Sequence, residues 1–126
     1  MSTKNIIIGG SDIEFLNILS QNIKNIYSDV GIQTTNDAYC MYILIREKKP
    51  LVLVSELIFP NWDWDGYLVI KLLKKDDRYA DIPVVLILDK KDNRFEYILQ
   101  DKEIGNNVVF KSDGLESIME KIKEMM

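Results

Sequence analysis

The chain has 126 residues, 47% of them apolar and 29% charged, with 20 acidic side chains against 16 basic and a net charge of −4. That is one domain's length with ample material for a buried core, and its mild acidity argues against a nucleic-acid partner held through phosphate neutralisation. No apolar run nears the roughly 18 residues of a membrane span, the opening MSTKN lacks a signal-peptide core, and the single cysteine, Cys40, permits no internal disulfide, so a cytoplasmic protein away from membranes is expected.

With no linker, repeat or low-complexity stretch, residues 1–126 read as a single domain. The first strand is Asn5-Ile-Ile-Ile8. Ser11-Asp-Ile-Glu14 then has the form of a capping box, with Ser11 and Glu14 satisfying free backbone donors, and apolar positions 15, 16, 18, 19, 23 and 26 form the stripe of a first helix. Gly31-Ile-Gln-Thr-Thr35 carries polar residues and suits an edge strand. A second helix is predicted from Asn36 to about Lys49, stopped by Pro50. Leu51-Val-Leu-Val54 is the third strand; the third helix follows Asp65-Gly66, with Leu68, Val69, Leu72 and Leu73 facing inward. Val84-Val-Leu-Ile-Leu88 and Val108-Val-Phe110 are the fourth and fifth strands, with helices over about 92–102 and 113–125. The strands are continuously apolar rather than alternating, as strands covered on both faces are. Five βα units with right-handed crossovers imply an α/β, doubly wound three-layer sandwich around a parallel sheet.

In such sheets the crevice lies beyond the carboxyl ends of the strands. Gly9 and Gly10 stand there after the first strand, Glu56 after the third, Leu88 and Asp89 after the fourth, Lys111 and Ser112 after the fifth. Only Glu56, Asp89 and Lys111 among these ionise, and an acid facing an amine across a crevice suits a structural ion pair as well as chemistry. Histidine is absent, which removes Ser-His and Cys-His nucleophile pairs, histidine metal ligands and a phosphohistidine relay. Gly9-Gly10-Ser11 joins a strand to a helix N-terminus, where backbone donors can hold phosphate. It is short, however, and lacks both the longer glycine fingerprint and a Lys-Ser/Thr pair, so a plain tight turn is the competing reading.

Over its whole length the chain resembles the response-regulator receiver domain, CheY-like in type. Lys49-Pro-Leu-Val-Leu-Val-Ser-Glu-Leu-Ile-Phe-Pro60 is similar to the family's third strand and following loop, Asp65-Gly66 to the Asp-Gly opening its third helix, and Asp81-Ile-Pro-Val84 to its approach to the fourth strand. The resemblance implies a flavodoxin-like sheet in the order 2-1-3-4-5. It also places Glu56 at the phosphoacceptor Asp, Gly9 and Gly10 at the magnesium-binding acid pair, Leu88 at the phosphoryl-sensing Thr or Ser, Val108 near the switch aromatic, and Lys111 at the family's Lys, with Ser112 in place of the following Pro.

These departures point to a degenerate pseudo-receiver. Two glycines offer magnesium no carboxylate, and glutamate reaches about one carbon–carbon bond further than aspartate, beyond what aligned attack tolerates. The expectation is a locked domain in which Glu56 orders the crevice through Lys111. It would be no enzyme, bind no cofactor or metal, and act in bacterial-type two-component signalling through a protein partner or a second copy, standing alone or as a piece of a larger protein. The rivals are phosphorylation at another carboxylate, Asp89 or Asp63, and nucleotide or flavin binding at Gly9-Gly10-Ser11.

An inert crevice moves function to the surface. Tyr39, Cys40 and Ile43 make the second helix apolar beyond the stripe of Ala38, Met41, Tyr42 and Ile45 that covers the sheet, and either a partner or neighbouring loops would cover them. Trp62 and Trp64 lie in a loop longer than the family's, as binding anchors or as plugs of the emptied pocket. The face used by the family for signalling and dimerisation would carry Arg94, Tyr97, Asp101, Lys111 and Glu116.

Overall fold

The computed structural model describes residues 4–60 and 64–126. Trp62 and Asp63 therefore lie outside the described residues. The strands are β1 (Asn5–Gly9), β2 (Gly31–Thr35), β3 (Val52–Glu56), β4 (Val84–Leu88) and β5 (Val108–Phe110), joined in one parallel sheet in the order β2-β1-β3-β4-β5. The helices are α1 (Ile13–Ile26), α2 (Ala38–Lys48), α3 (Gly66–Lys74), α4 (Glu96–Leu99, entered through a 3₁₀ turn at Asn93–Phe95) and α5 (Leu115–Met125). The expected flavodoxin-like architecture is present.

Both faces of the sheet are dry, which is why the strands do not alternate. Ile6, Ile8, Val52, Val54, Val85 and Ile87 pack with Leu16, Leu19 and Ile23 of α1 and Ile118 and Ile122 of α5. Ile7, Leu53, Val84, Leu86 and Leu88 pack with Ala38, Met41 and Ile45 of α2, Val69, Ile70 and Leu73 of α3, and Ile98 of α4. No helix among the described residues is long and apolar enough to cross a membrane.

Several local expectations need correction. The N-cap of α1 is Asp12 rather than Ser11: the Asp12 carboxylate accepts from the Phe15 N–H at 3.1 Å. The cap thus falls one residue beyond the Ser11–Glu14 box, and the Asp12 N–H donates to Glu56 Oε1 at 3.0 Å from 44 residues away. On α3 the buried positions are Gly66, Val69, Ile70 and Leu73, the i, i+3, i+4, i+7 face, while Leu68 is exposed and Leu72 half-buried. In α1, Ile18 and Ile26 face outward.

The fourth helix is much shorter than 92–102. After Leu99 the chain turns so that Gly105 lies against the Leu99 carbonyl, and Asp101 is drawn inward. Its Oδ2 accepts from Tyr67 Oη at 2.6 Å and Lys71 Nζ at 3.0 Å, and Oδ1 from the Glu103 N–H at 2.9 Å. Tyr67 also meets Tyr97 edge-on, with ring centres 5.4 Å apart, so α3 is fastened to α4 and the turn beyond it.

The Tyr67 hydroxyl, chiefly, holds the Asp101 carboxyl down at about 2, aided by Lys71 against an opposing effect of burial. A depressed carboxyl stabilises the fold above its ordinary value and ceases to as pH falls through its folded-state value. Asp101→Asn is therefore expected to cost about 2 kcal/mol at pH 7. In urea titrations, the gap from wild type should narrow between about pH 4 and pH 2; a gap independent of pH would show that the charge is not what fastens the loop.

Candidate functional site

The crevice at the carboxyl edge of the sheet is a cavity of about 300 Å³. β3 delivers Glu56 to its floor, and the β5–α5 turn brings Lys111 over it. The Lys111 ammonium is ion-paired with Glu56 Oε2, 3.4 Å from Asp12 Oδ2 and 3.6 Å from Asp89 Oδ1. It also sits 4.3 Å from the centre of the Phe15 ring, a favourable place for a cation. The Ser112 N–H donates to the Asp89 carbonyl at 3.0 Å, joining the two loops that carry these groups.

Glu56 is only 5% exposed, yet both its oxygens are satisfied: Oε2 by Lys111, Oε1 by the Asp12 N–H at the start of α1. A buried carboxylate at a helix N-terminus meets the positive end of the helix dipole as well as a donor. Burial alone lowers the Lys111 ammonium, but its hydrogen bond to Glu56 and the charges of Glu56, Asp89 and Asp12 outweigh it and hold Lys111 above its ordinary value. Asp12 is lowered, first by the Phe15 N–H and, against burial, by Lys111.

The two glycines have separate roles. A Cβ on Gly9 would run into Met41 Sδ and Phe59 in the core beneath the sheet, whereas one on Gly10 would overlap Oε1, Cγ and Cδ of Glu56. The glutamate thus lies in the space that a side chain at position 10 would fill. The Gly10 N–H is bonded to the Thr35 carbonyl at 3.1 Å. With the Asp12 N–H given to Glu56, one backbone donor of the Gly9-Gly10-Ser11 loop and the donor just after it are committed inside the chain, against a phosphate loop.

Leu88 and Asp89 line this cavity, but Val108 does not: it is half-buried in the layer beneath α4, paired with Leu86. Asp12 and Phe15 are site residues that the sequence reading assigned only to the helix. The available signal was the N-cap itself, because in a parallel sheet every helix that follows a strand starts at the crevice edge.

Beside the crevice, Ile58, Phe59, Trp64, Phe95 and Tyr97 border an apolar groove of about 580 Å³. Trp64 stands against α2, its ring centre 5.6 Å from Tyr39 and 5.7 Å from Tyr42. Tyr39 and Cys40 remain exposed and Ile43 is half-buried. On the presumed signalling face, Arg94 pairs with Asp92 at 2.8 Å and Tyr97 and Glu116 are exposed. Asp101 and Lys111 do not join them, since one is drawn to α3 and the other to the crevice.

No protein-family model and no curated protein matches the chain. Solved structures do. The signal receiver domain of a DNA-binding response regulator from Colwellia psychrerythraea 34H is similar with a TM-score of 0.79 and 19% identity, over 97% of each chain. The chemotaxis response regulator CheY4 of Vibrio cholerae has a TM-score of 0.79 at 13% identity, over 99% of this chain and all of its own (100%). The signal receiver domain of a histidine kinase from Syntrophus aciditrophicus has a TM-score of 0.80 at 16% identity, over 97% of this chain and 89% of its own. The chain therefore has the CheY-like receiver fold of two-component signalling proteins.

Magnesium is the cation that fold implies, and the residues here do not fit it. β1 ends in glycines, and the carboxylates that reach the crevice, Asp12, Glu56 and Asp89, converge on the Lys111 ammonium. A divalent ion among them would face that fixed positive charge. Among the described residues no cluster of acids or cysteine has a metal-holding arrangement.

Proposed function

We propose that the chain is a non-enzymatic, phosphorylation-independent receiver-like module that works by binding a protein partner in two-component-type signalling. The observation that carries this reading is the double engagement of Glu56. For its carboxylate to attack a phosphoryl group, Oε2 would have to leave Lys111 or Oε1 the α1 N-terminus, with no metal to offset the approach of two anions. Phosphoryl transfer depends on positioning and electrostatic stabilisation, and this geometry opposes both. Nor is there a reader for a phosphoryl group: Leu88 has no hydrogen-bonding side chain, and Val108 has no ring and lies outside the cavity. The lysine already neutralises a built-in carboxylate, so the crevice has one arrangement rather than two.

Intact mass after incubation with acetyl phosphate and magnesium tests the proposal, with tryptophan fluorescence followed in parallel. The expected result is unchanged mass and no magnesium-dependent change in fluorescence. A stoichiometric phosphate adduct would overturn it. An adduct mapped to Asp89, whose side chain is 73% exposed, would instead establish phosphorylation at a second carboxylate of the same crevice.

A further inference from the structure

The side of α2 turned toward α3 carries a pattern unrelated to the crevice. Tyr39, Tyr42, Arg46 and Lys49 fall at i, i+3, i+7 and i+10, one stripe along the helix and its C-cap. Trp64 stands against the two tyrosines at one end of the stripe. At the other end three cations surround a single ring: Arg46 Cζ lies 5.9 Å, Lys49 Nζ 5.9 Å and Arg78 Cζ 5.2 Å from the centre of Tyr79. Arg46 is also 5.4 Å from the Tyr42 ring, which links the two ends.

The charges there are unevenly matched. Arg78 is neutralised by Asp76, through bonds of 3.1 Å from Nε and 2.8 Å from Nη2. Arg46 and Lys49 form no ion pair among the described residues, and the buried Arg46 Nε has no hydrogen-bond acceptor. Guanidinium groups are usually paired when partly buried. Here one lies near two aromatic rings with no ion pair of its own among the described residues, on a protein whose net charge is −4. Toward the other end of the stripe Tyr39 is 55% exposed.

We propose that this stripe is a docking surface for an acidic peptide segment of a partner protein, whose carboxylates meet Arg46 and Lys49 and whose aromatic or aliphatic residue packs on Tyr39 and Trp64. Rigid aromatic anchors beside a pre-placed arginine are the composition of binding hot spots, and the charge complementarity selects an acidic partner. Two unpaired cations beside Asp76 on an acidic chain are too few to hold a polyphosphate backbone. The inference goes beyond the proposed function and does not depend on the crevice, so a phosphate adduct at Glu56 or Asp89 would leave it standing.

The test is fluorescence anisotropy with a labelled eight-residue peptide of alternating glutamate and phenylalanine, against the same peptide with glutamine for glutamate. The glutamate peptide is expected to bind about tenfold more tightly and to weaken toward the glutamine peptide at about 1 M salt, where the Debye length is about 3 Å. Lys49→Gln, on an exposed residue, should weaken it several-fold, and Arg46→Gln with Lys49→Gln about tenfold, with circular dichroism confirming that both variants are folded. No binding, equal binding of the two peptides, or binding unaltered in both variants would overturn the proposal. So would tighter binding of a thymidine octanucleotide, which would assign the stripe to single-stranded nucleic acid. Self-association in sedimentation that the double variant abolishes would assign it to a second copy.

Discussion

Lys111→Met is expected to destabilise the fold by about 3 kcal/mol, because it strands the buried Glu56 carboxylate with a single backbone donor. Removing one partner of a buried pair costs far more than the pair contributes, since the remaining charge can neither return to water nor find a new counter-ion. Glu56→Gln should cost less, about 1–2 kcal/mol. It leaves the ammonium with Asp12 and Asp89 nearby and partly in water, Lys111 being 21% exposed. The double variant should recover most of the loss from Lys111→Met, as replacement of both partners of a buried pair commonly does. Urea unfolding of the four proteins closes the cycle.

The pH dependence has a definite sign. Lys111 is raised in the folded state, so its contribution is complete below its ordinary value of 10.5 and is lost as pH rises through the higher folded value. The stability difference between wild type and Glu56→Gln should therefore be constant at neutral pH and shrink in strong alkali. A Lys111→Met protein within about 0.5 kcal/mol of wild type would remove the ion pair as the element that orders the crevice.

Gly66→Ala is expected to cost a similar amount, about 3 kcal/mol, with no ionisable group involved. The first residue of α3 lies directly on the end of β3: its N–H donates to the Leu57 carbonyl at 2.8 Å. A Cβ there would overlap the main-chain oxygen of Glu56 and come within 2.6 Å of Ser55 Oγ. The obstacle is backbone in a strand buried at every position, so relief requires α3 to move away from the sheet. Part of that shift would reach Glu56, and the variant should show a weaker Lys111→Met penalty because its crevice is already loosened. Thermal unfolding that matches wild type would show that α3 can slide without cost, contrary to the packing of Val69, Ile70 and Leu73.

How much of this was legible beforehand varies by element. The strands stood out because parallel strands covered on both faces are apolar throughout, and β3 and β4 are buried at all of their positions. At the start of α1, Ser11 and Glu14 satisfy a local pattern, but the cap is Asp12, whose N–H is bound by Glu56, 44 residues distant. The length of α4 was overestimated because Asp101 and Lys102 suit a helix end, and nothing local announces that Tyr67 and Lys71 pull Asp101 inward. On α3, Leu68 and Ile70 have similar hydrophobicity, and only the docking of Gly66 on β3 sets which of them turns to the core.

The parallel, doubly wound layering follows from the amino-acid pattern, because long apolar runs separated by helical stripes have few other ways to bury both faces of a sheet. The same pattern excludes histidine chemistry and puts an acid and an amine at the crevice. What those two do is set by long-range packing. Whether Glu56 lies free, holds a metal or closes on Lys111 depends on the empty space over Gly10, the unclaimed N–H of Asp12 and the reach of a lysine from β5. These are distances between segments far apart in the chain, and no local propensity encodes them.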